Sequence, residues 1–298
     1  MYNFQSAEKL LDLCSSHKLP ISEITILYEI NNSKSERHEV LEKMTRVYQV
    51  MQEAIQKGLK DKKSSSFGMA SDNAKLSFKL LEKNQKTLLS PLAIKAMAYA
   101  IATGEHNCKM GRIVAFPTAG GSGVIPGSII ATQEEWELSE KKAINALFTA
   151  TGIGLIIAKQ STFSAAKAGC QAEVGAATAM AAAALTEMRG GTPQQAINAA
   201  ALALKNKLGL VCDPLGGLVA VPCIKRNGLG AVHALGASDL SIAGVKSFVP
   251  FDEVVQAMNN IGDLMSEKLK ETALGGLATT KTGLKIREKM KLPKIKKR

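Results

Sequence analysis

The chain has 298 residues and a net charge of +12, with 46% hydrophobic and 21% charged residues, a globular composition that excludes a disordered or fibrous protein. Aromatic residues reach only 4%, so the core must be assembled from Ala, Leu, Ile, Val and Met, which favours closely packed helices. Five cysteines, an odd number, exclude a fully paired disulfide framework.

In chain order, the start MYNFQSAEKLL has neither the basic region nor the apolar run of a signal peptide. Phe4–His17 and Ile21–Ile30 read as short amphipathic helices separated by Pro20. Ser35–Lys57 follows as a longer one, with Val40, Met44, Val47, Met51 and Ile55 on one stripe. Residues 1–57 form an N-terminal helical arm in this reading, with Cys14 and His17 as surface or packing residues. Gly58–Gly68, GLKDKKSSSFG, is a break or linker. Ser71 caps a helix to about Lys83, and Ser90-Pro91 opens another to about Thr103, closed by Gly104.

The first chemical region is Glu105–Gly127, EHNCKMGRIVAFPTAGGSGVIPG. RIVAF reads as a short strand or an extended buried segment. In PTAGGSG, glycines let the backbone approach a ligand and turn successive N–H groups onto one anion, while Thr118 and Ser122 add hydroxyls. A carboxylate or phosphate suits such a nest; a plain Gly-rich turn is the competing reading. His106 and Cys108, just before it, are each more simply structural. Ile113–Gln133 is the longest uncharged run, but its two prolines and four glycines argue against a membrane-spanning helix. Ser139 caps a helix through about Thr151, with Gly152–Lys159 continuing apolar.

The second region is Gly169–Asn227. Gln171–Met188 is an Ala-rich helix closed by Arg189-Gly190-Gly191. Thr192, Pro193 and Gln195 then form a capping box for a helix to about Leu208. Cys170 and Cys223 fall at predicted helix starts and Cys212 in the Gly-rich turn VCDPLGG. A helix N-terminus favours a thiolate, the form that ligates metal. Three small buried residues are the alternative, and C-x41-C-x10-C is neither a ferredoxin run nor a zinc ribbon. Lys225, Arg226 and Asn227 sit in the first turns of the Cys223 helix, which runs to about Leu235. They position the site or solvate that helix end. Asp239–Val249 reads as a connector and Asp252–Lys270 as an amphipathic helix. Lys281–Arg298 carries nine basic residues and one acidic, leaving the rest of the chain at +4. It lacks the aromatics of a nucleic-acid surface and reads as a solvated, partly disordered basic tail.

GCQAEVG, CDPLGGLVAVPCIKRN and PTAGGSGVIPG closely resemble the α chain of bacterial iron–sulfur-dependent L-serine dehydratases, with a likeness from about Gly58 to Thr280. The resemblance implies that Cys170, Cys212 and Cys223 hold a [4Fe–4S] cluster. It implies that Thr118, Gly120, Gly121 and Ser122 bind the substrate carboxylate. Ala119 stands where many relatives have Asn, so a side-chain hydrogen bond from that position is lost. The break Gly58–Gly68 lacks the glycines that relatives tend to carry there, and no site residue is carried over from it. ETALGGLATT resembles the family's GGLA signature, with Gly275-Gly276 returning the chain to the site. No cysteine follows Cys223, so none from this chain's own tail can take the fourth iron.

Three thiolates leave one iron open to act as a Lewis acid on serine. Loss of water and hydrolysis then give pyruvate and ammonia. The general base is not assigned; a smaller β chain completes the site in the family, so the expected assembly is a hetero-oligomer. The expected fold is mostly α: an Ala-rich helical catalytic domain at 58–280 with Gly-rich active-site loops, between the arm and the 281–298 tail. The chain is expected to be cytoplasmic, with no membrane or nucleic-acid partner. A cluster-dependent lyase acting on L-cysteine, a non-catalytic iron–sulfur protein and a pyridoxal-phosphate dehydratase remain as alternatives, the last without a convincing lysine motif.

Overall fold

A computed structural model describes residues 2–61, 66–82 and 86–293, and shows thirteen α-helices with no strand among the described residues. The mostly α expectation holds. The helices are α1 Ala7–His17, α2 Ile21–Ser33, α3 Arg37–Lys60, α4 Asn73–Glu82, α5 Pro91–Cys108, α6 Val124–Glu135, α7 Glu140–Gln160, α8 Ala165–Ala168, α9 Ala176–Met188, α10 Pro193–Lys205, α11 Cys223–Ile242, α12 Phe251–Leu264 and α13 Lys281–Lys289.

The centre is α9. Every residue of it except Glu187 is buried, and α6, α7, α10 and α11 pack around it. A helix buried on all sides must be apolar all round. Ala176, Ala177, Ala179 and Ala181–Ala184 meet that demand with minimal bulk, so neighbouring backbones come close. A larger side chain in such a shell costs about 1–3 kcal/mol in overpacking. α7 is long and apolar enough to cross a membrane by length and composition, and its residues from Ala143 to Ile157 pack against α2, α3 and α9.

Three helices begin at carboxylates supplied from far along the chain. Asp252 accepts from the Ala7 amide at 2.9 and 3.0 Å, capping α1. Glu187 accepts from Ile21 at 2.7 Å and Ser22 at 3.0 Å, where Pro20 has no capping side chain to offer. Buried Glu105 accepts from the Asn73 amide at 2.9 Å and caps α4. Each satisfies donors that a helix start leaves orphaned and meets the positive end of the dipole. The α4 start corrects the reading of Ser71 as the cap; Lys83, its expected end, lies outside the described residues.

Other boundaries move for similar reasons. Gly58 lies inside α3 and Gly104 inside α5, so neither ends a helix. α6 occupies a stretch read as a loop because of Pro126 and Gly127. Pro126 falls in the first turn, where its missing N–H is not needed. Gly127 permits the crossing with α5: an added Cβ would stand 2.7 Å from the Ala100 Cβ and 2.8 Å from the Ala96 carbonyl oxygen. RIVAF is an irregular segment. α11 continues to Ile242, through the start of the expected connector, and α12 stops at Leu264. The basic tail begins as α13, with Met290 and Leu292 closing over Gly216; residues 294–298 lie outside the described residues.

Candidate active site

Four segments meet at one end of α9 and α11. The first is a turn of π-helix, Gln171–Gly175, joined directly to α9. Such turns recur at functional sites because they push side chains out of helical register. Here the Cys170 carbonyl accepts from Glu173 at 3.2 Å, Val174 at 2.9 Å and Gly175 at 3.3 Å. The turn is pinned by Gln171, whose Oε1 accepts from Gly209 at 2.9 Å and whose Nε2 donates to the Met258 carbonyl at 2.9 Å. The second segment carries Cys212, which donates to the Leu269 carbonyl at 2.8 Å and accepts from the Glu271 amide at 2.9 Å. That makes a single parallel bridge to the C-terminal segment. Cys223, the third, is the first residue of α11.

All three cysteines are buried and are free thiols. Burial pushes Cys170 up to about 11 and Cys223 up to about 12, and raises Cys212 as well. After burial, the next cause for Cys212 and Cys223 is the charge of Cys170, so the three sulfurs share one electrostatic environment. Desolvation thus outweighs the helix-start effect expected from sequence. Arg226 opposes it at Cys170, whose sulfur it reaches by hydrogen bond. The same guanidinium donates to the Val211 carbonyl at 2.7 Å and to Asp213 Oδ1 at 3.0 Å. Asp213 Oδ2 in turn accepts from the Leu277 amide at 2.8 Å, so the GGLA turn does return to the cysteine loop.

The fourth segment is Pro117–Gly123. One carboxamide ties it to the Cys223 helix: buried Asn227 donates from Nδ2 to the Gly120 carbonyl at 2.7 Å and to the Cys223 carbonyl at 2.9 Å, and its Oδ1 accepts from Gly123 at 2.8 Å. Thr118 Oγ1 accepts from the Gly121 amide at 3.3 Å and bonds the Glu173 carboxyl. The Ser122 hydroxyl donates to the Ala119 carbonyl at 2.8 Å. The amides of Gly121, Ser122 and Gly123 are therefore used within the protein, whereas those of Ala119 and Gly120 have no acceptor among the described residues. Glu173 leans on the same loop. A Cβ at Gly120 would stand 2.5 Å from Glu173 Oε2, so only glycine admits the carboxyl where it is.

Residues 16–278 match the family described as serine dehydratase alpha chain. The chain is 44% identical over 282 residues to "L-serine dehydratase, alpha chain" of Peptoniphilus asaccharolyticus, covering 95% of this chain and 96% of that one. It is 42% identical over 287 residues to "Probable L-serine dehydratase, alpha chain" of Bacillus subtilis, covering 96% and 95%. The chain belongs to the serine dehydratase α-chain family. As a member it is part of an enzyme, a lyase. "L-serine dehydratase" of Helicobacter pylori is 40% identical over 286 residues, 94% of this chain but 62% of that one. The rest of that relative lies outside the matched region.

The thiol set bears on which metal this α chain suits. Among the described residues, no three His, Cys, Asp or Glu side chains converge as the ligands of one ion would. A multi-iron cluster spreads its thiolates over separate irons and needs no such convergence. Three buried soft donors that feel one another's charge, two of them also that of Arg226, fit that larger group. Sequence reasoning singled out the cysteines and the glycine loop, which the structure brings to one end of α9 and α11, but not Glu173 or Asp213, and it left Asn227 between positioning the site and solvating the helix end. The available signal was a charged or amide residue inside an otherwise apolar or Gly-rich motif: QAEVG, CDPLGG and KRNG. Lys225 donates to the Met69 carbonyl at 3.3 Å. His106 lines a hollow with Gln56, Lys57, Lys60 and Asp61, its Nδ1 buried without a partner among the described residues.

Proposed function

We propose that this chain is the α chain of a cytoplasmic L-serine dehydratase that converts L-serine to pyruvate and ammonia, with Cys170, Cys212 and Cys223 holding a [4Fe–4S] cluster. The observation that carries the proposal is the junction at Asn227, which joins the glycine loop to the cysteine-bearing helix in a chain of this family. When bound, the cluster supplies a Lewis acid that eases departure of the substrate hydroxyl. The chain's own residues do the rest of the binding. Ala119 and Gly120 present free amides to a carboxylate, and the Thr118 hydroxyl is engaged by Glu173. Asn227 holds that loop in fixed register with Cys223, so carboxylate and leaving group are oriented together. Burial of Gly120–Gly123 and of the three cysteines keeps bulk water from the reacting face. Loss of water gives an enamine, which hydrolyses to pyruvate and ammonia. A β chain completes the site and contributes the acceptor for the Cα proton.

The test is co-expression with a β chain and assay of pyruvate from L-serine under anaerobic conditions. The α–β complex is expected to form pyruvate, to prefer L-serine over L-cysteine, and to lose activity when the β chain is omitted. Full activity from α alone, sulfide release from L-cysteine outpacing turnover of serine, or no pyruvate from a cluster-replete complex would each contradict the proposal.

A further inference from the structure

Glu173 has no cationic partner among the described residues. Among the described residues no Lys, Arg or His forms an ion pair with it, and its polar partner is the Thr118 hydroxyl. It is half-buried. An acid in that position is normally paired with a base. Its location is the informative part. Both carboxyl oxygens lie over Gly120, at 2.5 and 2.9 Å from where a Cβ would be. The adjoining amides of Ala119 and Gly120 are free for an anion. One short stretch thus offers a place for a negative group and, beside it, a place for a positive one. Opposite charges that close together are what an α-amino acid carries on its single Cα.

We propose that Glu173 receives the substrate's α-ammonium group and thereby selects α-amino acids over hydroxy acids. The inference rests on the functional reading above and deepens it. The ammonium supplies the missing partner, while the loop amides take the carboxylate. Thr118 is a positioning residue: it orients the carboxyl without touching the ligand's charge.

The experiment uses the α–β complex and two competitive inhibitors that each lack one feature of serine. L-Alanine keeps the ammonium and lacks the hydroxyl; 3-hydroxypropanoate keeps the carboxylate and hydroxyl and lacks the ammonium. In Glu173→Gln, the KM for L-serine and the inhibition constant of L-alanine are expected to rise about 10- to 100-fold, the worth of one charge-assisted hydrogen bond. The constant for 3-hydroxypropanoate is expected to stay within about twofold, and iron content to be unchanged. Thr118→Val, which leaves the carboxylate but frees its orientation, is expected to weaken L-alanine by a smaller factor and serves if the first variant does not fold. Equal weakening of both inhibitors, or a collapse of kcat with both constants unchanged, would overturn the assignment. A wild-type complex that turns over no serine would instead overturn the functional reading, and this inference with it.

Discussion

Asn227 satisfies three backbone groups from two segments that lie more than a hundred residues apart in sequence. Replacing it with Ala leaves the Gly123 amide and the Gly120 carbonyl buried without partners. Each such orphan costs about 1–3 kcal/mol. Asn227→Ala is therefore expected to lower the urea midpoint, and to raise the KM for L-serine because the loop loses its register with α11. Unfolding curves and KM measured on one preparation check both effects. The residue-level chemistry was only half visible in the sequence. Cys170, Cys212 and Cys223 and the glycines announce themselves because their types are rare and their motifs long. Asn227 and Glu173 do not, because their role comes from partners brought near by the fold, and the dipole argument for a lowered thiol pKa fails once burial is known.

Helix starts show the same division between local and distant information. The Thr192–Gln195 capping box is written in four consecutive residues, and it forms as read, with the Gln195 amide 3.2 Å from Thr192 Oγ1. The caps from Asp252, Glu187 and Glu105 have no local signature, which is why the α4 cap was misplaced. α6 was hidden for a related reason: Pro126 and Gly127 look like breakers until Pro126 is seen in the first turn and Gly127 at a helix crossing. Glu187 tests the capping account. It accepts from Ile21, Ser22 and the Thr149 hydroxyl, the last at 2.8 Å. Glu187→Ala is expected to destabilise the chain by about 1–3 kcal/mol, read as a lower thermal midpoint. Glu187→Gln, which keeps an acceptor, is expected to lose less. α13 shows that a basic run can still order when Met290 and Leu292 find a surface, here the Gly216 turn between Cys212 and Cys223.

At the scale of the whole molecule, stability should depend on pH through His233. Burial, and then the nearby Lys207, lower its pKa from 6.5 to about 4. The unfolded chain therefore takes up a proton that the folded chain refuses between those values. The stabilisation is fully present above about pH 6.5 and is lost as pH falls toward 4, at no more than about 1.4 kcal/mol per pH unit for one proton. A His233→Gln variant is expected to flatten this part of the stability profile in urea titrations. A profile as steep as the wild type's would contradict it. The central claim, however, is that three cysteines from separate segments act as one cluster-binding unit. Anaerobic purification and quantitation of iron and acid-labile sulfide tests it most directly. About four of each per chain, lost in Cys212→Ser, is the predicted result; a chain with neither, even after anaerobic reconstitution, would contradict it and leave the three thiols as packing residues.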